Sequence, residues 1–319
     1  MVSAKLTEEQ KELFVRQHYG LAGEHSAVKI CGWTKKSLHD KGVCYKERFY
    51  GICCHRCMQC TPAVNWCTQN CEFCWRIGRY SHGKLIGWEK PKEIVDKMIT
   101  AQRKLLTGFP GGNCNVKKWK EAQMPSQVAI SLSGEPTIYP KLGELIAEFH
   151  RRGMTTFLVT NGTFPEKLAK LKPLPTQLYV TVAAPDKETY LKLCKPSIPN
   201  GWEKLNKTLE LLPKLKTRKV IRLTLVHGIN LNSPEKYAKL IKKAKPDFVE
   251  AKAYMAVGFS RARIGMEGMP LHEEIVEFSK KLAKELGWKI IDEQKESRVC
   301  LLSKLPKNKI KLSSATSLV

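Results

Sequence analysis

From residue 127 onward, short apolar runs alternate with amphipathic segments. The apolar runs predict strands at 128–132, 155–160, 178–182, 220–226, 248–255, 288–291 and 299–302. Segments with apolar residues at helical spacing predict helices at 142–152, 164–171, 202–215, 234–244 and 271–286. This alternation of strand and helix predicts an α/β fold in which a parallel sheet closes into a full or partial barrel.

Polar residues and glycine collect where the predicted strands end. Ser133-Gly134-Glu135-Pro136 follows the first of these strands, Asn161-Gly162 follows the second, and His227-Gly228-Ile229-Asn230 follows the fourth. In parallel barrels, residues just past the carboxyl ends of the strands line the site. We therefore expect a functional site at this edge of the sheet.

The upstream half has a weaker pattern. Helices are predicted at 7–18 and at 91–106, where Pro91 suits a first helical turn. Neither the amino terminus nor any later segment has the apolar run of a signal peptide or of a membrane span, which needs roughly 20 residues. We expect a cytoplasmic protein without a membrane partner.

The chain is strongly basic. Its 319 residues include 55 Lys and Arg against 30 Asp and Glu, which gives a formal net charge of +25. A surplus of this size favours a polyanionic partner such as a nucleic acid. The alternative is a solvated, lysine-rich surface of the kind that thermophilic proteins carry.

Twelve cysteines in a chain of this type indicate metal chemistry before a disulfide framework. Cys67, Cys71 and Cys74 have the spacing C-x3-C-x2-C, and Phe73 precedes the last of them. Three thiolates on a four-iron cluster leave one iron open to a small chelating molecule. The alternative is a zinc knuckle, for which the cysteines upstream could supply further ligands.

This cysteine motif resembles that of the radical S-adenosylmethionine (SAM) enzymes. The resemblance implies that SAM chelates the open iron and is cleaved to a 5′-deoxyadenosyl radical. Ser133, Gly134 and Glu135 match the Gly-Gly-Glu segment that holds the amino group of SAM, with Ser133 in place of the first glycine. The resemblance also places Thr160 and Asn161 near the ribose or carboxylate of SAM, and Asn230 near its adenine.

Six more cysteines lie upstream, at Cys31, Cys44, Cys53, Cys54, Cys57 and Cys60. Cys54, Cys57 and Cys60 alone have a ferredoxin-like spacing. Local spacing does not say which of the six bind metal. A second metal site is expected here, with a structural zinc as one alternative and, in a hyperthermophile, a disulfide as another.

A second resemblance, to the archaeal form of the tRNA 4-demethylwyosine synthase family, extends from about Cys31 to Trp288. Its main elements are Lys29–Lys35, Gly42–Ile52, Cys54–Cys57, Ile130–Thr137, Lys252–Met255 and Gly258–Arg261. It implies a second four-iron cluster on Cys31, Cys44 and Cys54, which leaves Cys53, Cys57 and Cys60 without an assigned role.

The resemblance also divides the chain. Residues 1–60 form an extension that carries the second cluster, residues 61–305 form a partial parallel (β/α) barrel of the radical SAM type, and residues 306–319 form a flexible tail. The archaeal form lacks the flavodoxin-like domain of the eukaryotic enzymes. An external electron donor of the flavodoxin or ferredoxin type is therefore implied, and we expect a monomer.

The family joins pyruvate to 1-methylguanosine beside the anticodon of phenylalanine tRNA and forms a tricyclic base. Lys46 matches the lysine that forms a Schiff base with pyruvate. The tRNA phosphates are expected to contact arginines around the barrel mouth, namely Arg76, Arg79, Arg261 and Arg263. The rival readings are another radical SAM enzyme, of the activase or methylthiotransferase type, and a zinc-containing RNA-binding protein.

Overall fold

A ten-stranded sheet forms the centre of the computed structural model, which describes residues 2–76 and 85–312. The strands of the described residues are β1 (Val2–Ser3), β2 (Gly20–Leu21), β3 (Ala27–Lys29), β4 (Cys57–Thr61), β5 (Leu85–Ile86), β6 (Gln127–Ile130), β7 (Thr155–Thr160), β8 (Gln177–Thr181), β9 (Arg218–Leu225), β10 (Phe248–Ala253), β11 (Lys289–Gln294) and β12 (Val299–Ser303). Of these, β1 and β5 pair separately with each other.

The described α-helices surround this sheet. They are α1 (Glu8–Arg16), α2 (Gly32–Leu38), α3 (Tyr45–Tyr50), α4 (Pro91–Leu106), α5 (Val116–Ala122), α6 (Leu142–Arg151), α7 (Pro165–Ala169), α8 (Lys187–Cys194), α9 (Gly201–Leu211), α10 (Pro234–Ala244) and α11 (His272–Leu286). In the described ranges, no helix is both long and apolar enough to cross a membrane.

The strand order is β11-β12-β10-β9-β8-β7-β6-β4-β3-β2. The six strands from β4 to β10 in this order are parallel, and antiparallel strands extend the sheet at both ends. Within the described residues the two edge strands do not pair, so the barrel is open. The α/β fold with a mostly parallel sheet is the predicted one.

The outer face of the sheet packs against the amphipathic helices. Helix α6, for example, buries Leu145, Ile146 and Phe149, and the strands beneath it are apolar on both faces, as parallel strands covered on both sides usually are. The sequence located α4, α10 and β7 at the boundaries that the structure shows. The other predicted elements from residue 127 onward are present with shifted ends.

The inner face of the sheet packs against the amino-terminal extension. Tyr45 and Tyr50 of α3 join a buried aromatic cluster with Phe157, Tyr179 and other inward-facing strand residues. Both tyrosine hydroxyls donate to the buried carboxylate of Glu250 on β10, at 3.0 and 2.8 Å. Helix α3 is therefore part of the barrel interior.

Two predicted boundaries differ from the structure. The division at residue 60 falls inside β4, which is the first parallel strand and was missed in the sequence. The tail predicted to be flexible from residue 306 packs as far as Leu312. Ile310 is buried, its carbonyl accepts from Arg218 Nη2 at 2.5 Å, and Leu312 N donates to Tyr50 O at 2.9 Å.

Candidate active site

The C-x3-C-x2-C loop follows β4, at the carboxyl end of the first parallel strand. Backbone hydrogen bonds attach the loop to the carboxyl end of α8: Asn70 N donates to Lys195 O at 3.1 Å, and Glu72 N donates to Leu193 O at 2.9 Å. Cys67, Cys71 and Cys74 are all half-buried. Hydrogen bonds with the rest of the chain thus hold the loop in place.

The surroundings of Cys67 and Cys71 disfavour the thiolate forms of these two side chains. Burial raises the pKa of Cys67 to about 12. A hydrogen bond with Cys194, followed by burial, raises the pKa of Cys71 well above its usual value. A bound metal ion removes such protons because it prefers the thiolate. Asn161 Nδ2 lies 3.8 Å from Cys67 Sγ and so borders the place where a cluster would be held.

Ser133, Gly134 and Glu135 pack directly on residues 61–66, which precede the cysteine loop. Thr61 Oγ1 donates to Ser133 O at 2.5 Å, Ser133 Oγ donates to Val64 O at 2.6 Å, and Glu135 N donates to Trp66 O at 2.7 Å. The hydroxyl of Ser133 therefore already donates its hydrogen bond to another residue of the protein. The segment can offer a ligand its main-chain atoms, as the resemblance implies.

Gly134 is required by the close approach of two backbones. Its φ is +67°, and a Cβ built there would lie 1.9 Å from Ala63 O and 2.5 Å from Trp66 O. Since these are main-chain oxygens just before Cys67, a side chain at this position would displace the cysteine loop.

Glu135 joins two of the strand ends. Its buried carboxylate accepts from Thr160 Oγ1 at 2.6 Å and from Asn161 N at 2.8 Å, and it also accepts from Thr137. Burial raises the pKa of this carboxyl group, while these donors act in the opposite direction. The Thr160 hydroxyl is thus already hydrogen-bonded within the protein. Of Thr160 and Asn161, the two residues predicted to contact SAM, Asn161 is the one whose side chain lies beside the cysteine loop.

Asn230 makes its hydrogen bonds with the ends of two neighbouring strands. It is buried, and its Nδ2 donates to Ala183 O at 2.6 Å and to Thr224 O at 2.8 Å, while its Oδ1 accepts from Val226 N at 2.5 Å. The side chain joins the ends of β8 and β9, and all of its polar atoms are used there. A direct contact with SAM stays a prediction.

The structure brings four upstream thiols together. Cys31 and Cys44 occupy the positions that begin α2 and α3, Cys54 begins a 3₁₀ turn, and Cys57 begins β4. Hydrogen bonding from Cys54, with Lys46 nearby, lowers the pKa of Cys44 to about 7. Burial raises the pKa of Cys57 to about 12, and the charges that act on it are those of Lys46, Cys31 and Cys44.

Cys57 is one of the three upstream cysteines to which the resemblance gave no role. It follows Cys44 at the same interval of thirteen residues at which Cys44 follows Cys31, and this repeat was the available signal. Cys53 is exposed, and Cys60 packs in the outer core. No three His, Cys, Asp or Glu side chains in the described ranges converge closely enough to hold a single metal ion.

Lys46 lies beside these thiols. It is only 8% exposed, and its Nζ lies 4.8 Å from the centre of the Tyr179 ring and 5.5 Å from that of Phe157. The sequence placed it near the second group of cysteines, and the structure places it on the inner face of the sheet. Its amine is thus enclosed, with aromatic rings on one side and thiols on the other.

A cavity of about 300 Å³ begins at the cysteine loop and extends inward over the sheet. Among its lining residues are Cys74, Arg76, Ser131, Thr181, Arg222 and Lys252. Arg76 is held inside it, because its Nη2 donates to Ser131 O at 2.6 Å and its guanidinium lies 4.9 Å from the Trp75 ring.

The predicted phosphate-binding arginines occupy different places. Arg263 binds the cysteine loop: its Nε donates to Glu72 O at 3.0 Å and its Nη2 donates to Cys74 O. Arg261 is exposed. Arg79 lies outside the described residues. Arg76 and Arg263 thus contact the protein's own backbone, and Arg261 is the one whose exposed side chain can meet a phosphate without rearrangement.

The comparisons with known proteins agree over most of the chain. A model of the radical SAM superfamily matches residues 61–241, and a model described as wyosine base formation matches residues 243–304. The S-adenosyl-L-methionine-dependent tRNA 4-demethylwyosine synthase of Pyrococcus horikoshii is 53% identical over 304 residues, which are 93% of this chain and 89% of that protein. The chain belongs to this family of radical SAM enzymes.

Further members support the same assignment. The family member of Methanocaldococcus jannaschii is 42% identical over 305 residues, covering 93% of this chain and 96% of its own. A solved structure described as TYW1 with a lysine-pyruvate adduct bound has a TM-score of 0.86 and 40% identity, covering 97% of this chain and 98% of that chain. Radical SAM enzymes bind a four-iron cluster and SAM, so the predicted fold class and these two cofactors are confirmed.

Replacing Gly134 by Ala should destabilise the folded protein and reduce iron loading. The left-handed backbone alone costs roughly 1–2 kcal/mol, and the contacts with Ala63 O and Trp66 O add to this. Gly153→Ala is the matched control, because Gly153 has a φ of +73° with open space around its Cβ position. The midpoint temperature of thermal unfolding and the iron content should both be lower in Gly134→Ala than in Gly153→Ala. Equal effects in the two variants would contradict the close-approach argument.

Proposed function

We propose that this protein is a tRNA-modifying radical SAM enzyme that condenses pyruvate with 1-methylguanosine next to the anticodon of tRNA(Phe), forming 4-demethylwyosine. The observation that carries the proposal is the enclosed amine of Lys46 beside a group of thiols, at one end of a barrel whose mouth holds the C-x3-C-x2-C loop. A relative of similar structure is described with a lysine-pyruvate adduct.

Each part of the barrel mouth has a task in this proposal. Cys67, Cys71 and Cys74 hold the first cluster, and the main chain of 133–135 together with Asn161 orients SAM beside it. When bound, the cluster and SAM supply the radical that takes a hydrogen from the N-methyl group of the base. The protein's own contribution is to position the base and the keto acid and to exclude water.

The second cluster is proposed to bind to Cys31, Cys44 and Cys57. Cys57 lies close enough to both Cys31 and Cys44 for their charges to affect its pKa. The charges acting on Cys54 come from Cys44 and Cys57. This differs from the set implied by the resemblance, in which Cys54 held the third position. In the proposal, Cys54 is not a ligand, and its hydrogen bond stabilises the thiolate of Cys44.

Iron counts after anaerobic reconstitution test this assignment. We expect about eight irons per chain in the wild type and about four in Cys57→Ala, because one four-iron cluster is lost. The matched variant Cys54→Ala should keep about eight. A loss in Cys54→Ala with none in Cys57→Ala would restore the set implied by the resemblance. Zinc with little iron would support the zinc-containing RNA-binding alternative, and about four irons in all three would leave an ordinary radical SAM enzyme.

Lys46 is proposed to hold pyruvate as an imine. Its neutral amine attacks C2 of the keto acid, the Nζ–C2 bond forms, and the ketone oxygen leaves as water. Enclosure by the aromatic rings keeps bulk water from the imine and so limits its hydrolysis.

Borohydride reduction in the presence of pyruvate should therefore trap an adduct that peptide mapping places on Lys46. Lys46→Arg, which keeps the charge but cannot form the imine, should show no adduct and should form no tricyclic base on tRNA bearing 1-methylguanosine. Its iron content should match that of the wild type. An adduct mapped to another lysine, or full activity of Lys46→Arg, would exclude this role.

The tRNA is proposed to bind across the barrel mouth by its phosphates. The net charge of +25 supports this, and the target base has to leave the loop stack to reach the cavity, which costs a few kcal/mol. External reduction by a flavodoxin or ferredoxin and a monomeric state are also part of the proposal, as the family resemblance implies.

Raising the salt concentration should weaken tRNA binding steeply, because bound counterions are released when phosphates are contacted. Arg261→Ala should lower the slope of log affinity against log salt by about one. Lys281→Ala is the control, since Lys281 is exposed on α11 and paired with Glu277 at 2.8 Å. An affinity that does not change with salt would contradict phosphate contacts.

A further inference from the structure

Arg222 is a cation on the inner face of the sheet without a hydrogen-bond partner among the described residues. It lies on β9, beside Thr181 of β8 and Glu250 of β10 in the strand register. Its Nε is buried and makes no hydrogen bond, and the nearby carboxylate of Glu250 is already bound by Tyr45 and Tyr50. An enclosed guanidinium in this state is costly unless a ligand completes its hydrogen bonds.

Lys252 is a second cation in the same cavity. It lies on β10, and its Nζ donates to Ser297 O at 2.7 Å. Burial, with repulsion from Arg222, lowers its pKa to about 7, and Glu250 acts in the opposite direction. Two neighbouring positive groups in one enclosed space indicate that the space accommodates an anion.

The cavity extends from these cations to the cysteine loop, and the strand register relates the same cations to Lys46. Cys74 and Arg76 line its outer end, at the cysteine loop. On the inner side, Arg222 neighbours Thr181, while the amine of Lys46 lies over the ring of Tyr179. Tyr179 and Thr181 are two residues apart on the same face of β8, a spacing of about 7 Å. Arg222 is therefore about one such interval along the sheet from the ring over which the Lys46 amine lies, a gap that a small keto acid and the long arginine side chain can bridge.

We propose that Arg222 and Lys252 form the carboxylate-binding subsite for the keto acid that condenses with Lys46. The proposal rests on the function proposed above and adds the residues that select the substrate. The guanidinium fork suits a carboxylate, and the Lys252 ammonium supplies a second charge-assisted hydrogen bond. Held in this way, the C1 carboxylate faces the cations and C2 faces the amine.

The subsite explains why a keto acid is used rather than a neutral ketone. Lys46 alone can condense with any small ketone that enters. Arg222 and Lys252 add affinity only for one that carries a negative charge. They also fix the C1 carboxylate, so that the adjoining C2 atom is presented to the Lys46 amine.

Reductive trapping on Lys46 tests the subsite. In the wild type we expect half-maximal trapping at far lower concentrations of pyruvate than of acetone. In Arg222→Gln and in Lys252→Gln, the pyruvate concentration required should rise about tenfold or more, since a charge-assisted contact is lost. The acetone concentration required should not rise. Arg218→Gln is the matched control, because Arg218 lies on the same strand and face but contacts Ile310 O.

The other results are equally informative. Pyruvate trapping in both variants at wild-type concentrations would overturn the proposal. Weaker SAM binding by equilibrium dialysis, with pyruvate trapping unchanged, would also overturn it and would assign the cations to the carboxylate of SAM. A wild type that traps neither ketone on Lys46 would overturn the proposed function itself. If Arg222→Gln fails to fold, Arg222→Lys and Lys252→Gln provide the same comparison.

Discussion

Two hydrogen bonds from tyrosine hydroxyls to one buried carboxylate hold the amino-terminal extension inside the barrel. Glu250 is fully buried, and Tyr45 and Tyr50 supply the donors that it needs. A carboxylate in this position is tolerated only with such partners. Because both tyrosines belong to α3, the same contact fixes Cys44 at the start of that helix and Lys46 one residue after Tyr45. The chemistry of the extension thus depends on a residue about two hundred positions away.

The strands and helices of the barrel could be predicted from the sequence because the pattern of apolar residues that indicates them lies within each short segment. Apolar runs and helical spacing located β7, α4 and α10 at their observed ends. Strand β4 was missed because its sequence, Cys-Met-Gln-Cys-Thr, contains cysteines that suggested ligands, and its burial comes from pairing with β3 and β6. No local pattern reports such pairing.

The candidate site was predictable to a similar degree and for the same reason. The cysteine loop and the Ser133–Glu135 segment are continuous motifs, so their spacing identified them. Cys57 and Arg222 depend on which face of a strand they occupy and on what lies opposite. Asn230 follows a strand, as a site residue would, yet its amide joins two strand ends. A polar residue after a strand indicates the edge of the sheet and does not distinguish a ligand contact from a structural one.

The anchoring of the cysteine loop has a consequence for the maturation of the enzyme. Backbone hydrogen bonds attach the loop to Glu135 at its start, to Lys195, Leu193 and Ser197 along its middle, and to Phe259 at its end. The chain therefore supplies part of the order of the loop by its own hydrogen bonds, separately from the bonds between thiolates and iron. An iron–sulfur delivery protein that loads this site then has fewer loop conformations to select among, because fixing the backbone of one residue otherwise costs roughly 1–2 kcal/mol.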